Sequence, residues 1–309
     1  MPPREPVSGT GPRPVDGYTP GDSPIRDETA MTAHHDTVPL SGGIAFIGGG
    51  NMARSLIAGL VAAGTPAASI EVVEPQAPQR QALQQEHGVR VAESVATAAL
   101  DAHTLVLAVK PQVMATVCAE LAPRLAPGAL VVSIAAGIGT DALHRWLGPS
   151  AALVRAMPNT PALLGAGMTG LYAGTDVGAA ERGTAQAILA CAGQTRWIDD
   201  EALMDAVTAV SGSGPAYVFA LAEAMEDAAL AQGLAADAAR QLVVQTVLGA
   251  ARMLADSGQD PGTLRKAVTS PNGTTQAALE TLAGGGFHAL VGSAVAAAAQ
   301  RGRELAAGT

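Results

Sequence analysis

The sequence predicts an α/β domain built on a doubly wound sheet, followed by an all-α domain, and three observations carry that expectation. Short apolar runs alternate with helix-periodic stretches between residues 44 and 146. A glycine cluster, Gly48-Gly49-Gly50, sits where the first run turns into the first helix. Beyond residue 199 the strand-like runs stop and long Ala/Leu-rich segments take over. The length, 309 residues, is about twice that of a typical domain of roughly 150 residues and accommodates both parts.

Residues 1–40 hold eight prolines and nine charged residues with no sustained helical or strand period, as expected of a disordered extension, and Met31 offers an alternative start. His34 and His35 have no Cys or acidic cluster beside them and read as a solvent-exposed pair. Ile44-Ala45-Phe46-Ile47 predicts a strand, and Leu56, Ile57, Leu60 and Val61 mark the apolar stripe of the helix after the glycines. Strands are expected at 69–73, 104–109 and 128–134, with helices at 79–86 and 141–146. After the run Thr195-Arg196-Trp197-Ile198 and the acidic segment Asp199-Asp200-Glu201, helices are expected at 217–232, 235–257, 275–282 and 287–305. The division is therefore 1–40 extension, 41–198 nucleotide-binding type, and 199–309 helical.

Composition narrows the function classes. Lys+Arg 18 against Asp+Glu 27 gives a net charge of −9, with no basic surface for nucleic acid or anionic membrane, so neither is expected as a partner. Two cysteines, Cys118 and Cys191, are too few for a disulfide scaffold or a Cys-rich metal cluster and suit a reducing cytoplasm. The uncharged stretches 156–175 and 281–300 are interrupted by Pro158, Asn159 and Pro161 and by Gly284–Gly286, which argues against a membrane span, and the N-terminus lacks a secretory pattern. Glu223, Glu226 and Asp227 cluster on one helix, but without positioned histidines they read as a solvated face, and no metal is expected. Only 15% of residues are charged, which leaves an unusually uncharged surface that subunit burial would explain.

Gly48-x-Gly50-x-x-Ala53, in a strand–turn–helix setting, points to a dinucleotide. Gly48 permits the tight turn, Gly50 leaves room for a pyrophosphate, and Ala53 lets the helix approach the strand while its first amides face the anion. Glu74, 24 residues beyond Gly50 at the end of the next strand, is placed to accept hydrogen bonds from an adenosine ribose, favouring NAD, while Arg80 lies within reach of a 2′-phosphate. Ala108-Val109-Lys110-Pro111 sets a lysine at a strand end where such folds bind ligands; a surface lysine before a Pro-started helix is the alternative. Ser133–Gly137 and Met157–Pro161 repeat the strand-end pattern of small or turn-forming residues. Ser211-Gly212-Ser213-Gly214-Pro215 and Ser270-Pro271-Asn272-Gly273-Thr274-Thr275 each precede a helix and offer hydroxyls and unpaired amides suited to a carboxylate, or else simple caps. No Ser/His/acid triad or HExxH pattern is present.

In that order, Phe46–Ala53, Ala108–Pro111, Arg155–Pro161, Ser211–Tyr217 and the Ser270–Thr275 loop resemble the pyrroline-5-carboxylate reductase family from about residue 43 to 282. The resemblance implies a Rossmann-like N-terminal domain and a C-terminal domain that forms an interlocked homodimer, with a homodecamer as a further association. It implies reduction of 1-pyrroline-5-carboxylate to L-proline with NADPH or NADH, the preference left open. Cofactor contacts then fall on Ile47, Gly48, Gly50, Asn51, Met52, Ala53, Glu74, Ala108, Val109, Lys110, Pro111, Ala135, Ala136, Gly137, Met157, Pro158 and Asn159. Substrate contacts fall on Ser213, Ser270, Asn272, Gly273, Thr274 and Thr275, with Thr275 and Lys110 as the groups nearest the chemistry. Where the family usually has a second glycine this chain has Asn272, a residue that tolerates left-handed backbone. Two alternatives remain: a related dehydrogenase of a hydroxy acid or another cyclic imine, which would draw on Lys110, His144 or His288 as acid/base, and a non-enzymatic nucleotide-binding assembly protein.

Overall fold

The structure is a computed structural model, and it describes residues 42–307. The expected extension at 1–40, with Met31, His34 and His35, lies outside the described residues. Two compact units are present. Residues 42–247 with 285–307 form one, and 248–284 the other.

The first unit is organised by an eight-stranded sheet of order β3-β2-β1-β4-β5-β6-β7-β8. Its strands are β1 (Ile44–Ile47), β2 (Ile70–Val73), β3 (Arg90–Ala92), β4 (Thr104–Leu107), β5 (Leu130–Ser133), β6 (Ala152–Met157), β7 (Gly167–Ala173) and β8 (Gly193–Trp197). All neighbouring pairs are parallel except β6 with β7. Strands β1, β2, β4 and β5 are short, mostly apolar and buried throughout because helices cover both faces. Phe46, Ile44, Val72 and Val106 pack with Leu56, Ile57 and Leu60 on one face, while Ile47, Leu105 and Leu107 pack with Met114, Cys118 and Leu121 on the other.

The helices between the strands are α1 (Asn51–Ala62), α2 (Ala77–His87), α3 (Pro111–Leu121), α4 (Thr140–Leu147) and α5 (Ala179–Ala190). Pro78 and Pro111 sit in the first turns of α2 and α3, where a missing N–H costs nothing, and Gly88 ends α2 at φ +70°. Helices then follow: α6 (Met204–Val207), α7 (Gly214–Ala231), α8 (Ala236–Asp256), α9 (Pro261–Ala267), α10 (Thr274–Gly284) and α11 (Phe287–Ala307), of which α7, α8, α10 and α11 answer to the four that the sequence predicts. Among the described residues no single helix is long and apolar enough to cross a membrane.

Strands β3 and β7 and helices α5, α6 and α9 go beyond the elements expected from sequence. One expectation is overturned. Ser211–Pro215 is not a loop ahead of a fresh helix start, because α6 runs into a π-helical turn, Thr208–Gly212, and that turn into α7. The Ser213 amide is spent on the Thr208 carbonyl, 2.8 Å away, rather than left open for an anion. Pro215 has no N–H to offer the carbonyl of Ser211 four residues back, so that oxygen is free for a partner outside the helix.

Candidate active site

The order β2-β1-β4-β5 reverses the direction of strand addition between β1 and β4, which opens a crevice at the carboxyl ends of the strands. Strands β1, β2, β4, β5 and β6 run parallel. The topology therefore gathers the expected cofactor residues at one sheet edge: Ile47 at the end of β1 with Gly48 and Gly50–Ala53 in the turn into α1, Glu74 after β2, Ala108–Pro111 after β4, Ala135–Gly137 after β5, and Met157 at the end of β6 with Pro158 and Asn159 after it.

The glycine turn is a cradle shaped by close approach. Gly48 has φ +102°, and a Cβ there would stand 2.7 Å from the Ala108 carbonyl oxygen across the switch point. A Cβ on Gly49 would meet Leu83 Cδ1 at 2.6 Å, whereas Gly50 is exposed and faces open space. Gly50 is the N-cap of α1, with no side-chain cap and no acidic residue in the first turn. The amides of Asn51, Met52 and Ala53 precede the helical ladder and, with the helix dipole, suit a phosphate. Asn51 is exposed and Ala53 buried, as the fingerprint requires. This arrangement fits a dinucleotide pyrophosphate.

Glu74 turns its carboxylate toward the glycine turn. Its carboxylate is buried, with Oε2 accepting from the Gly49 amide at 3.0 Å and Oε1 from the Gln76 amide at 2.9 Å. Arg80 donates to the carbonyls of Glu74 and Pro75 at 2.8 and 2.6 Å. Lys110 is exposed and is the N-cap of α3. Ala135 and Gly137 are buried, and Gly137 turns at φ +74° directly against Leu305 of α11.

Asn159 uses its whole side-chain amide. Nδ2 donates to the Ser211 carbonyl at 3.1 Å and to Ser211 Oγ at 3.3 Å, and Oδ1 accepts from the Met168 amide at 2.9 Å. The carbonyl that Pro215 leaves free is thus taken by the strand-end asparagine. Met157 Cε closes the same spot, 2.6 Å from where a Gly212 Cβ would lie. Arg155, beneath it on β6, is buried and reaches Glu201 at 3.2 Å and Asp205 at 3.9 Å; Glu201 also accepts from the Thr140 amide at 2.8 Å and from the Thr140 hydroxyl. Neither this network nor the role of Gly49 follows from motif reading. The available signal is a charged residue inside the apolar strand Ala152–Met157, which demands a partner once buried.

In the second unit, Ser270-Pro271-Asn272-Gly273 forms a tight turn closed by the Gly273 amide on the Ser270 carbonyl at 3.1 Å. Proline in its second position and a positive φ, +57° at Asn272, in its third are the pattern of a type II turn. The Asn272 amide donates to Gln276 Oε1 at 2.8 Å, and Gln276 Nε2 donates to Glu280 at 2.7 Å. Thr274 and Thr275 open α10, and Thr275 is half-buried. Their amides, with that of Gln276, form the first turn of the helix and suit a carboxylate.

Comparison with known proteins finds two family matches along the chain. Residues 201–305 match the family described as pyrroline-5-carboxylate reductase dimerisation, and residues 43–137 match that described as NADP oxidoreductase, coenzyme F420-dependent. The pyrroline-5-carboxylate reductase of Pseudomonas aeruginosa is 54% identical over 263 residues, covering 85% of this chain and 96% of its own. The chain belongs to the pyrroline-5-carboxylate reductase family. The Escherichia coli reductase is 39% identical over 85% of this chain and 97% of its own. Among solved structures, a pyrroline-5-carboxylate reductase from Coxiella burnetii superposes with a TM-score of 0.82 at 40% identity, covering 85% of this chain and 98% of its own. The Plasmodium falciparum pyrroline carboxylate reductase, solved with NADP bound, gives 0.77 at 28% identity, covering 86% and 99%.

Proposed function

We infer that the protein reduces 1-pyrroline-5-carboxylate to L-proline with NADPH or NADH. The observation that carries this reading is the presence, in a chain matching reductases of this name over both parts, of two separate anion-holding helix starts, α1 and α10. A nucleotide sensor has no use for the second.

The chemistry that a bound nicotinamide cofactor supplies is hydride transfer to the imine carbon. The first-turn amides of α1 hold the pyrophosphate, and Gly48 and Gly50 admit it by having no side chain. Ala108–Pro111, Ala135–Gly137 and Met157–Asn159 line the sheet edge with small or turn-bound residues, and Asn159 fixes that edge to the π-turn. The Ser270–Thr275 loop holds the substrate carboxylate with the amides of Thr274 and Thr275 and the hydroxyl of Ser270. Thr275 orients the ring nitrogen; a threonine hydroxyl is too weak an acid to be the proton source by itself. Lys110 contributes positive charge at the crevice. Ser213 acts through the shape of the π-turn, since its amide is already used. The carboxylate of Glu74 is turned toward Gly49, which leaves the ribose region without an outward acid, so both cofactors are accepted, as the NADP in the Plasmodium relative suggests. Residues 41–198 form the cofactor domain and 199–309 the substrate and dimerisation domain of a homodimer. A homodecamer is a further association of such dimers.

The test is steady-state loss of reduced-cofactor absorbance with 1-pyrroline-5-carboxylate, with proline identified chromatographically. Imine-dependent turnover that yields proline, by either cofactor, is the expected outcome. Folded protein that binds cofactor but leaves the imine unreduced would overturn the substrate assignment.

A further inference from the structure

We propose that Glu74 is a positioning residue for the phosphate-binding turn, and that it does not discriminate between NADH and NADPH. An acid at the end of the second strand of such a sheet is ordinarily read as the acceptor of the ribose hydroxyls and the group that repels a 2′-phosphate. Here both carboxylate oxygens face inward, one on the amide of Gly49 and one on that of Gln76. Glu74 is 6% exposed, and its Cβ and Cγ lie 3.3 and 3.4 Å from where a Gly49 Cβ would be.

The geometry explains why this position needs a carboxylate. Two N–H donors converge on it, one from the glycine turn after β1 and one from its own segment after β2, and only an ionised acid presents two acceptor oxygens. A glutamine would satisfy one amide and set its own NH2 against the other. The Gly49 amide is the backbone link between Gly48, whose φ of +102° carries the turn, and Gly50, the N-cap of α1. Holding that amide fixes the direction in which α1 starts, and so the aim of the amides that meet the pyrophosphate. Charge-assisted bonds of this kind are strong, and the turn is held before any nucleotide arrives. The pyrophosphate is common to both cofactors, so loss of the clamp weakens both alike. The inference rests on the proposed nucleotide-dependent function but makes a separate prediction.

The experiment measures binding of NADH and NADPH by titration calorimetry to the full-length protein and to Glu74→Ala and Glu74→Gln, together with amide hydrogen exchange of segment 48–53 without cofactor. The expected result is about a tenfold loss of affinity for both cofactors in Glu74→Ala and a smaller loss in Glu74→Gln. The ratio of the two affinities stays within about twofold, and exchange of the segment rises in the same order. A ribose ligand gives the opposite pattern: NADH weakens, NADPH strengthens, and exchange does not change. Such a shift in ratio, or unchanged affinity for both cofactors, overturns the proposal. Should Glu74→Ala not fold, the near-isosteric Glu74→Gln decides by the same criteria. If the unsubstituted protein bound neither cofactor, the nucleotide-dependent reading would fall and this inference with it; normal binding with a shifted ratio would overturn this inference alone.

Discussion

Phe46 on β1 is fully buried, whereas Phe219 on α7 is 66% exposed, and the same contrast separates the regions that carry them. Strands β1, β2, β4 and β5 are buried from end to end. Helix α7 has no buried residue, and Leu221, Leu242, Leu248 and Leu290 on the helices after the sheet are exposed. One chain closes the sheet's core by itself; the helices leave apolar surface exposed, in keeping with the dimerisation family they match. The difference teaches that the sheet and the helices draw stability from different sources, the first independent of protein concentration and the second tied to it.

The strongest way to break this comparison is to charge the exposed face. Leu290→Asp, repeated on both sides of a twofold interface, is expected to cost about 3–6 kcal/mol of association. Sedimentation should then show monomer and imine reduction should fall to background, while far-ultraviolet circular dichroism retains the sheet. A dimer that survives Leu290→Asp would place the interface elsewhere.

Arg155 joins the two regions, running from β6 to Glu201 and Asp205 at the start of the helices. Arg155→Ala leaves both acids without their cation and is expected to lower the unfolding free energy by about 3–5 kcal/mol, read by urea denaturation. Within the sheet region, Gly48→Ala forces a Cβ against the Ala108 carbonyl. Cofactor titration should show at least about a tenfold weaker binding, equivalent to ~1.4 kcal/mol or more. At the α10 turn the expected effect is smaller. Asn272→Ala, at φ +57°, should raise the KM for the imine by about fivefold through ~1 kcal/mol of backbone strain, while Asn272→Gly stays within about twofold.

The last effect, absent near neutral pH, is a pH dependence in the sheet core. Burial pushes the Cys118 thiol from 9.0 up to about 11. Between those values the unfolded chain releases a proton that the folded chain keeps, so this group's contribution to stability is intact below pH 9.0 and declines as pH rises toward about 11. Cys118→Ala should flatten that decline in a pH series of thermal unfolding curves.

Much of the sheet region is legible in the sequence because its signals are local. Ile44–Ile47 is an unbroken apolar run, the glycines follow at once, and Leu56, Ile57 and Leu60 recur at helical spacing. The left-handed backbone at Asn272 is legible for the same reason, since Pro271 before it and Gly273 after it already specify the turn. Edge strand β3 escapes because it is three residues long with only Ala92 buried, and β7 because its glycines, at 167 and 170, dilute its apolar pattern. The partners of Glu74, Asn159 and Arg155 are not legible at all. Gly49 for Glu74, Ser211 for Asn159, and Glu201 and Asp205 for Arg155 are set by which distant segments meet, a long-range property that spacing along the chain does not encode. Ser211–Pro215 misleads because serine, glycine and proline together mark a loop by composition, while the surrounding helices and Asn159 supply the contacts that let the backbone stay coiled.

The π-turn at Thr208–Gly212 amounts to one residue more than a straight helix would hold, and it therefore works as an angular spacer. At about 100° per residue, deleting a single residue there would leave a smoother helix and every side chain on α7 rotated by more than a quarter turn about its axis. The apolar surface of α7 would survive in amount and be lost in direction. Homologous chains that exchange segments across this point inherit the same constraint, and a length difference of one residue between parents would cost a chimera its self-recognition even where every buried side chain matched.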